Sequence, residues 1–292
     1  RILVSNNSTG IYNVYALAVD GSGETQLTHS TGNATLAISY FADDDRFLFT
    51  ADQGGNELNH LYVQERDGTI VDLTPGENLK ASFGGWAGDY ESFYVQSNQR
   101  DPRYFDVYEY DLSSGYPRRM VFQNDDGMFP ANISADGRYI ALMALSTAND
   151  NDIFVEEISS GERIHITPHS GDVSSSPSDF SPDSRYLYYT SDAGGEFRRL
   201  LRHDLLSGEQ EEVLSFDWDI MYGSFSREGM YFVVGVNVDA RTELRLYDAT
   251  TMERVEAPEV AGANVSSVRF SEGDSQIAMY ASGSRFPRDL FV

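Results

Sequence analysis

Basic residues are few in this 292-residue chain, 21 against 46 acids, and seven of them are arginines gathered into short polar stretches between apolar runs. Six such stretches read "ADQGGNELNH", "SNQRDPRYFD", "STANDND", "SDAGGEFRR", "NVDARTE" and "SGSRFPRD", and four of the six carry arginine. Those arginines are Arg100, Arg103, Arg198, Arg199, Arg241, Arg285 and Arg288. A guanidinium is a planar fork of donors that matches a carboxylate. The chemistry they could do is therefore recognition of a peptide terminus or an acidic side chain. Arg100, Arg103, Glu196, Arg198, Arg241 and Arg285 are the candidate substrate-binding residues. The competing reading is that neighbouring acids, such as Asp101 and Asp106 around the first pair, neutralise these cations and leave purely structural loops.

Other chemistries find less support. His165 and His169 are four apart in "RIHITPHSG", but on a strand running into a Pro-containing loop, so they lack the shared face that a helix would give them. Surface or turn positions are expected for them, and strand-end positions for His29 and His60; no metal site is expected. A serine nucleophile elbow needs G-x-S-x-G, and "GSFSREG" has the wrong spacing. "DQGGNE" and "DAGGEF" lack the helix and the Lys-Ser/Thr pair of a phosphate-binding loop. The acids Asp43–Asp44–Asp45 and Asp125–Asp126 read as solvated turn charge rather than calcium ligands. No catalytic residue and no cofactor is expected in this chain.

The charge balance, 21 basic against 46 acidic residues, gives a net −25. Such a field repels nucleic acid and anionic membrane surfaces, so neither is an expected partner. Cysteine is absent, which rules out disulfides and thiolate chemistry and fits cytoplasm and periplasm equally. No stretch approaches the ~18 apolar residues of a membrane span. The opening "RILVS" reads as mid-domain, and the expectation is that the chain is a piece of something longer.

What positions the arginine loops is a repeat. Apolar residues opening one strand recur at Phe47, Phe93, Tyr139, Tyr186, Tyr231 and Ile277, in steps of 46, 46, 47, 45 and 46. Turn glycines agree: Gly21, Gly68, Gly115, Gly161 and Gly208 step by 47, 47, 46 and 47. A third series runs from Tyr15 through Tyr62, Tyr108 and Phe154 to Phe291, 276 residues or six steps of 46. Each period holds four short strands joined by Asp/Ser/Gly/Pro turns. In "RYLYYTS" both alternate positions are apolar, so both faces of the sheet must be covered. A four-stranded antiparallel sheet covered on both sides at this period is a propeller blade. The fold expected is all-β, a seven-bladed propeller forming one domain. Its blades are at about 1–28, 36–74, 82–122, 129–167, 175–214, 221–257 and 264–292. The first and last blades are incomplete, and their edges invite self-association. The arginine loops, lying between second and third strands, then share one face.

The stretches "FSPDSRYLYYTSDAGGEFRRLLRHDLLSGE", "FPANISADGRYIALM", "NVDARTELRLYDATT" and "SRFPRDLFV" resemble the N-terminal β-propeller of prolyl oligopeptidase family serine peptidases, especially bacterial acylaminoacyl- and dipeptidyl-peptidase-like members. The resemblance covers essentially the whole chain. It implies an α/β-hydrolase domain after residue 292 as partner, holding Ser, Asp and His, with the propeller restricting access to short peptides. The paired-glutamate motif "YEEE" of dipeptidyl peptidases is absent, and "DWDIMYGSF" stands in a similar inter-blade setting without such a pair. The "SPDG" blades are also similar to periplasmic Tol-system propellers, which makes a stand-alone module binding protein or peptide partners the alternative. A propeller lyase acting on acidic sugars would need clustered histidines and a cationic groove. A bacterial source is expected.

Overall fold

A computed structural model describes residues 1–260, 262 and 264–292. Its strands fall into seven antiparallel sheets in chain order. The first sheet holds β1 (Ile2–Asn6), β2 (Asn13–Leu17) and β3 (Glu24–Gln26), and the second β4 (Thr35–Tyr40), β5 (Phe47–Ala51), β6 (His60–Gln64) and β7 (Ile70–Asp72). The third holds β8 (Ala81–Trp86), β9 (Ser92–Asp101), β10 (Tyr104–Asp111) and β11 (Arg118–Phe122). Then come β12 (Phe129–Ile133), β13 (Tyr139–Thr147), β14 (Asp150–Glu157) and β15 (Arg163–His165), followed by β16 (Ser175–Phe180), β17 (Tyr186–Ser191), β18 (Arg199–Asp204) and β19 (Gln210–Leu214). The sixth holds β20 (Ile220–Phe225), β21 (Tyr231–Val238), β22 (Arg241–Asp248) and β23 (Arg254–Val255), and the seventh β24 (Asn264–Phe270), β25 (Ile277–Gly283) and β26 (Phe286–Phe291). The fold is thus the expected seven-bladed propeller, with three strands in the first and last blades.

The five turn glycines of the repeat all have positive φ, from 71° at Gly21 to 86° at Gly68. Any L residue with a Cβ would be strained in that conformation, which is why glycine keeps the period there. A second local device explains the serine of "SPDS". Its hydroxyl accepts the amide two residues beyond the turn: Tyr139 N to Ser134, Tyr186 N to Ser181 and Tyr231 N to Ser226, each at 2.9 Å. A third is the threonine after the outermost strand, whose Oγ1 accepts an amide of the strand paired with it. Val14 N reaches Thr28 at 2.8 Å, Leu61 N reaches Thr74 at 2.9 Å and Ile153 N reaches Thr167 at 2.8 Å.

The chain divides into two compact units, Arg1–Pro130 and Ala131–Val292. In the first, Phe41, Leu48, Leu61 and Val63 pack with Phe93, Val95, Tyr110 and Tyr116 between the second and third sheets. Tyr110 donates its hydroxyl to Leu73 O at 3.0 Å, and Trp86 Nε1 donates to Ser39 Oγ at 3.0 Å. These large rings therefore bury their polar ends with partners. In the second unit the run Tyr186–Tyr189 works as its sequence implies. Leu187 and Tyr189 pack with Ile153, Val155 and Ile166 of the preceding blade, whereas Tyr188 packs with Ile220, Phe232 and Val234 of the following one. Each such side chain contributes about 1.5–3 kcal/mol on full burial. Adjacent blades of this unit are also clasped at their turns. Asp274, at φ 51°, accepts Ser226 Oγ at 2.5 Å, Glu228 N at 3.1 Å and Met230 N at 3.2 Å.

Candidate functional site

The connections between second and third strands take two forms. In the third, fourth, sixth and seventh blades the strands run on into hairpins closed by two residues, such as Pro102–Arg103 between β9 and β10. At the β21–β22 turn Asp239 and Ala240 both have positive φ, 50° and 62°, the conformation that suits a tight hairpin to twisted strands. Of the six polar stretches, those of the second and fifth blades remain open loops, 52–59 and 192–198, both containing Gly-Gly. The sequence reading of six polar loops is thus corrected for four of them. Polar residues with satisfied backbone pairing extend the strand rather than end it.

Arg100 lies on the extended strand, not at the tip. Its Nε and Nη2 meet Asp106 Oδ2 and Oδ1, both at 2.8 Å, while Nη2 also donates to Asn124 O at 2.7 Å and Nη1 meets Asp125 at 3.0 Å. Asp106 is fully buried and accepts Asn124 N at 2.8 Å. The paired Asp106 carboxylate holds the Arg100 pKa above its ordinary value. Arg103, at the tip, folds back on Asp101 at 2.7 Å and over the Tyr104 ring at 4.9 Å. That pairing holds Asp101 down at about 2. The competing reading of this pair, neutralisation by Asp101 and Asp106, describes their geometry.

The fifth blade differs. Arg199 is tied to Glu212 at 2.6 Å and to Ala193 O. Arg198 is fixed through its backbone alone: its amide donates to Asp219 Oδ1 at 2.8 Å and its carbonyl accepts Ile220 N at 3.0 Å. Its partly buried side chain has no acceptor among the described residues. Glu196 is exposed beside it, and Trp218, on the segment leading into β20, is 40% exposed. Arg241, the first residue of β22, and Arg285, at the hairpin tip of the seventh blade, are exposed, again with no side-chain partner among the described residues. Arg288 lies over the Tyr280 ring at 4.3 Å. Asp219 also accepts Asn237 N through its carbonyl at 2.9 Å, and Asn264 Oδ1 accepts Thr242 N at 3.0 Å. These bonds place the connections of the fifth and sixth blades at the same end as the starts of β20 and β24.

The histidines are brought together more than their spacing suggested. His165 Nε2 meets Asp152 Oδ1 at 2.7 Å with its ring stacked on Phe154 at 4.4 Å, and His169 Nδ1 lies 3.3 Å from the same oxygen. His169 also faces Thr167 O through Nδ1 at 2.8 Å and Asp150 Oδ1 through Nε2 at 2.9 Å. A carbonyl and a carboxylate can only accept, so the ring that satisfies both is the doubly protonated one. Its pKa is accordingly raised, first by the Asp150 bond. The expected strand-end position of His60 is correct, but the residue is buried and bonded to Asp72 at 2.9 Å rather than at the surface. Asp44 is an ion-pair partner too, reaching Arg46 at 2.9 Å and Arg66 at 2.7 Å. Among the described residues no group of three or more His, Cys, Asp or Glu side chains is placed to hold a metal ion. Sequence reasoning missed Asp179 on β16. This carboxylate accepts Phe180 N at 2.9 Å and Phe225 N at 3.0 Å, and burial pushes its pKa up to about 6.

Comparison with known proteins sets this geometry in a family. The model of the prolyl oligopeptidase N-terminal β-propeller domain matches residues 30–291. The chain belongs to that family. This prolyl oligopeptidase propeller is 26% identical over 260 residues to dipeptidyl aminopeptidase BIII of Pseudoxanthomonas mexicana, covering 87% of the chain and 37% of the relative. It therefore spans little more than a third of that relative's length. Among solved structures, a puromycin-hydrolyzing peptidase of Mycobacterium tuberculosis superposes with TM-score 0.70 at 14% identity, over 96% of this chain and 48% of that one. An oligogalacturonate lyase in complex with manganese gives 0.71 at 15%, over 99% and 84%. TolB from Acinetobacter baumannii gives 0.57 at 17%, over 87% and 65%. At these identities the structural likenesses show the fold alone.

Proposed function

We propose that this chain is the non-catalytic propeller of a serine oligopeptidase, one domain over 1–292, which gates and selects short peptides for an α/β-hydrolase domain following it in the same polypeptide. The observation that carries the reading is the family match over 30–291 in a chain that spans 37% of a dipeptidyl aminopeptidase. The mechanism is steric and electrostatic. Blades packed on both faces keep their connections in fixed places, and those connections carry the charges that orient a peptide. The loop face of the fifth to seventh blades, with Glu196, Arg198, Arg241 and Arg285, supplies the charges; Arg100 and Arg103 contribute to the fold of their hairpin instead.

The test compares substrates of different size on the full-length parent. A chromogenic tetrapeptide is expected to exceed the same bond inside a folded protein by at least about a hundredfold in kcat/KM. Comparable rates on both would overturn the gating role. So would turnover by the 292-residue chain alone that is blocked by serine-directed inhibitors.

A further inference from the structure

The arginines of this chain meet two fates. Nearly all of them touch a carboxylate, hydroxyl, carbonyl or ring: Arg46 on Asp44, Arg119 on Glu109, Arg185 on Asp204 and Arg202 on Glu211 are representative. Among the described residues the side chains of Arg198, Arg241, Arg254 and Arg285 have no such partner. In a chain with 46 acids against 21 bases, an unpartnered cation is the exception. Three of the four, moreover, fall at or beside the start of the third strand in three consecutive blades of one unit: Arg198 and Arg285 immediately precede β18 and β26, and Arg241 is the first residue of β22. Arg254, on the outermost strand β23, is the outlier.

We propose that Arg198, Arg241 and Arg285 form a carboxylate-recognition surface, with Arg198 its anchor, that takes the carboxylate of a short peptide. Arg198 combines two properties that a binding residue needs. Its main chain is locked on both sides by Asp219 and Ile220, and its guanidinium keeps its five N–H donors uncommitted to protein. The group is partly buried, so an arriving carboxylate meets a cation less shielded by water than one on an open surface, and charge-assisted bonds are strengthened there. Trp218, exposed on the segment that receives the Arg198 amide bond, offers an apolar plane for the rest of the peptide. Arg241 and Arg285, both exposed, add attraction that falls away with salt. Glu196, exposed two residues before Arg198, repels a second carboxylate, which favours ligands bearing a single negative charge.

That the ligand is a peptide rests on the proposed oligopeptidase role; that it is an anion rests on the arginines. The experiment separates the two. The 292-residue chain is titrated calorimetrically at low salt with N-acetyl-trialanine, with its C-terminal amide, and with an amide-capped N-acetyl peptide carrying one internal glutamate. The free acid is expected to bind about tenfold more tightly than the trialanine amide. Binding of the glutamate peptide would identify side-chain carboxylates as ligands of the same surface, and its failure would assign the site to C-termini. Arg198→Gln is expected to lower acid affinity about fivefold or more, with Arg198→Lys intermediate because it keeps the charge and loses the fork. Arg254→Gln serves as the control and leaves binding unchanged. Equal binding of acid and trialanine amide overturns the carboxylate surface while leaving the gating role standing. Undetectable binding of every peptide, or unaltered acid binding by Arg198→Gln, overturns it as well.

Discussion

Arg100 and Arg198 stand on corresponding connections of the third and fifth blades, yet one is closed and the other open. At Arg100 the strands run on as β9 and β10, which brings a fully buried Asp106 and the carbonyl of Asn124 within 2.8 Å of the guanidinium. At Arg198 the connection is a Gly-Gly loop that fixes the backbone and leaves the side chain without an acceptor. Chemically identical side chains therefore do different things. Where the backbone ladder continues, it carries an acid to the arginine and the pair becomes part of the fold; where it stops, the cation remains available.

The largest effect expected from this contrast is on stability. Arg100→Ala strands Asp106 as a buried charge without a counter-ion, and the midpoint of thermal unfolding is expected to fall by roughly 10 °C. Arg198→Ala should move it by no more than about 2 °C, and Arg103→Ala, whose pair with Asp101 is solvent-exposed, by a similarly small amount. Melting curves of the three variants decide it. If Arg198→Ala costs as much as Arg100→Ala, the open side of the comparison is wrong.

A second test uses a closed cation that titrates. His169 holds the start of β14 to the segment after β15 through Asp150, Asp152 and Thr167 O, with His165 sharing Asp152. Its folded pKa is raised above the ordinary histidine value. The clasp is therefore fully present below that ordinary value, about 6.5, and is lost as pH rises through the folded one. Hydrogen exchange in the β13–β14 hairpin, corrected for intrinsic rate, should quicken between pH 6 and pH 9, whereas the Arg100 hairpin stays unchanged. Loss of the difference in His169→Gln confirms its source; a pH-independent hairpin contradicts the clasp.

The smallest effect concerns two carboxylates, the fully buried Asp106 with a cation and the partly buried Asp179 without one. Burial raises Asp179 from 3.8 to about 6, so the folded state holds this proton more tightly than the unfolded chain. Its contribution is full below pH 4 and is lost as pH rises to about 6. The stability of the native chain relative to Asp179→Asn should decline by a modest amount over that window and stay level above it. A difference that rises with pH would show that the two amides of Phe180 and Phe225 outweigh burial.

What the sequence determined by itself is the periodic part. The step of 46, the seven four-stranded or three-stranded blades, the glycines at positive φ and the two-sided burial of Tyr186–Tyr189 follow from short-range rules: backbone sterics at a turn, and side chains that alternate along a strand. Those rules act over a few residues and repeat with the chain. The tertiary structure alone decided which charges are spent. Asp106 and Asn124 close on Arg100 from 6 and 24 residues away, and Asp150 and Asp152 reach His169 and His165 from the neighbouring strand. The sequence offered Asp101 and Asp106 as neutralising neighbours of the first arginine pair without choosing between that and an open face, and no spacing foretold the Asn124 bond, the histidine pairs or the isolation of Arg198. Coulomb energy depends on separation and shielding, and both are set by strand pairing between segments far apart in the chain.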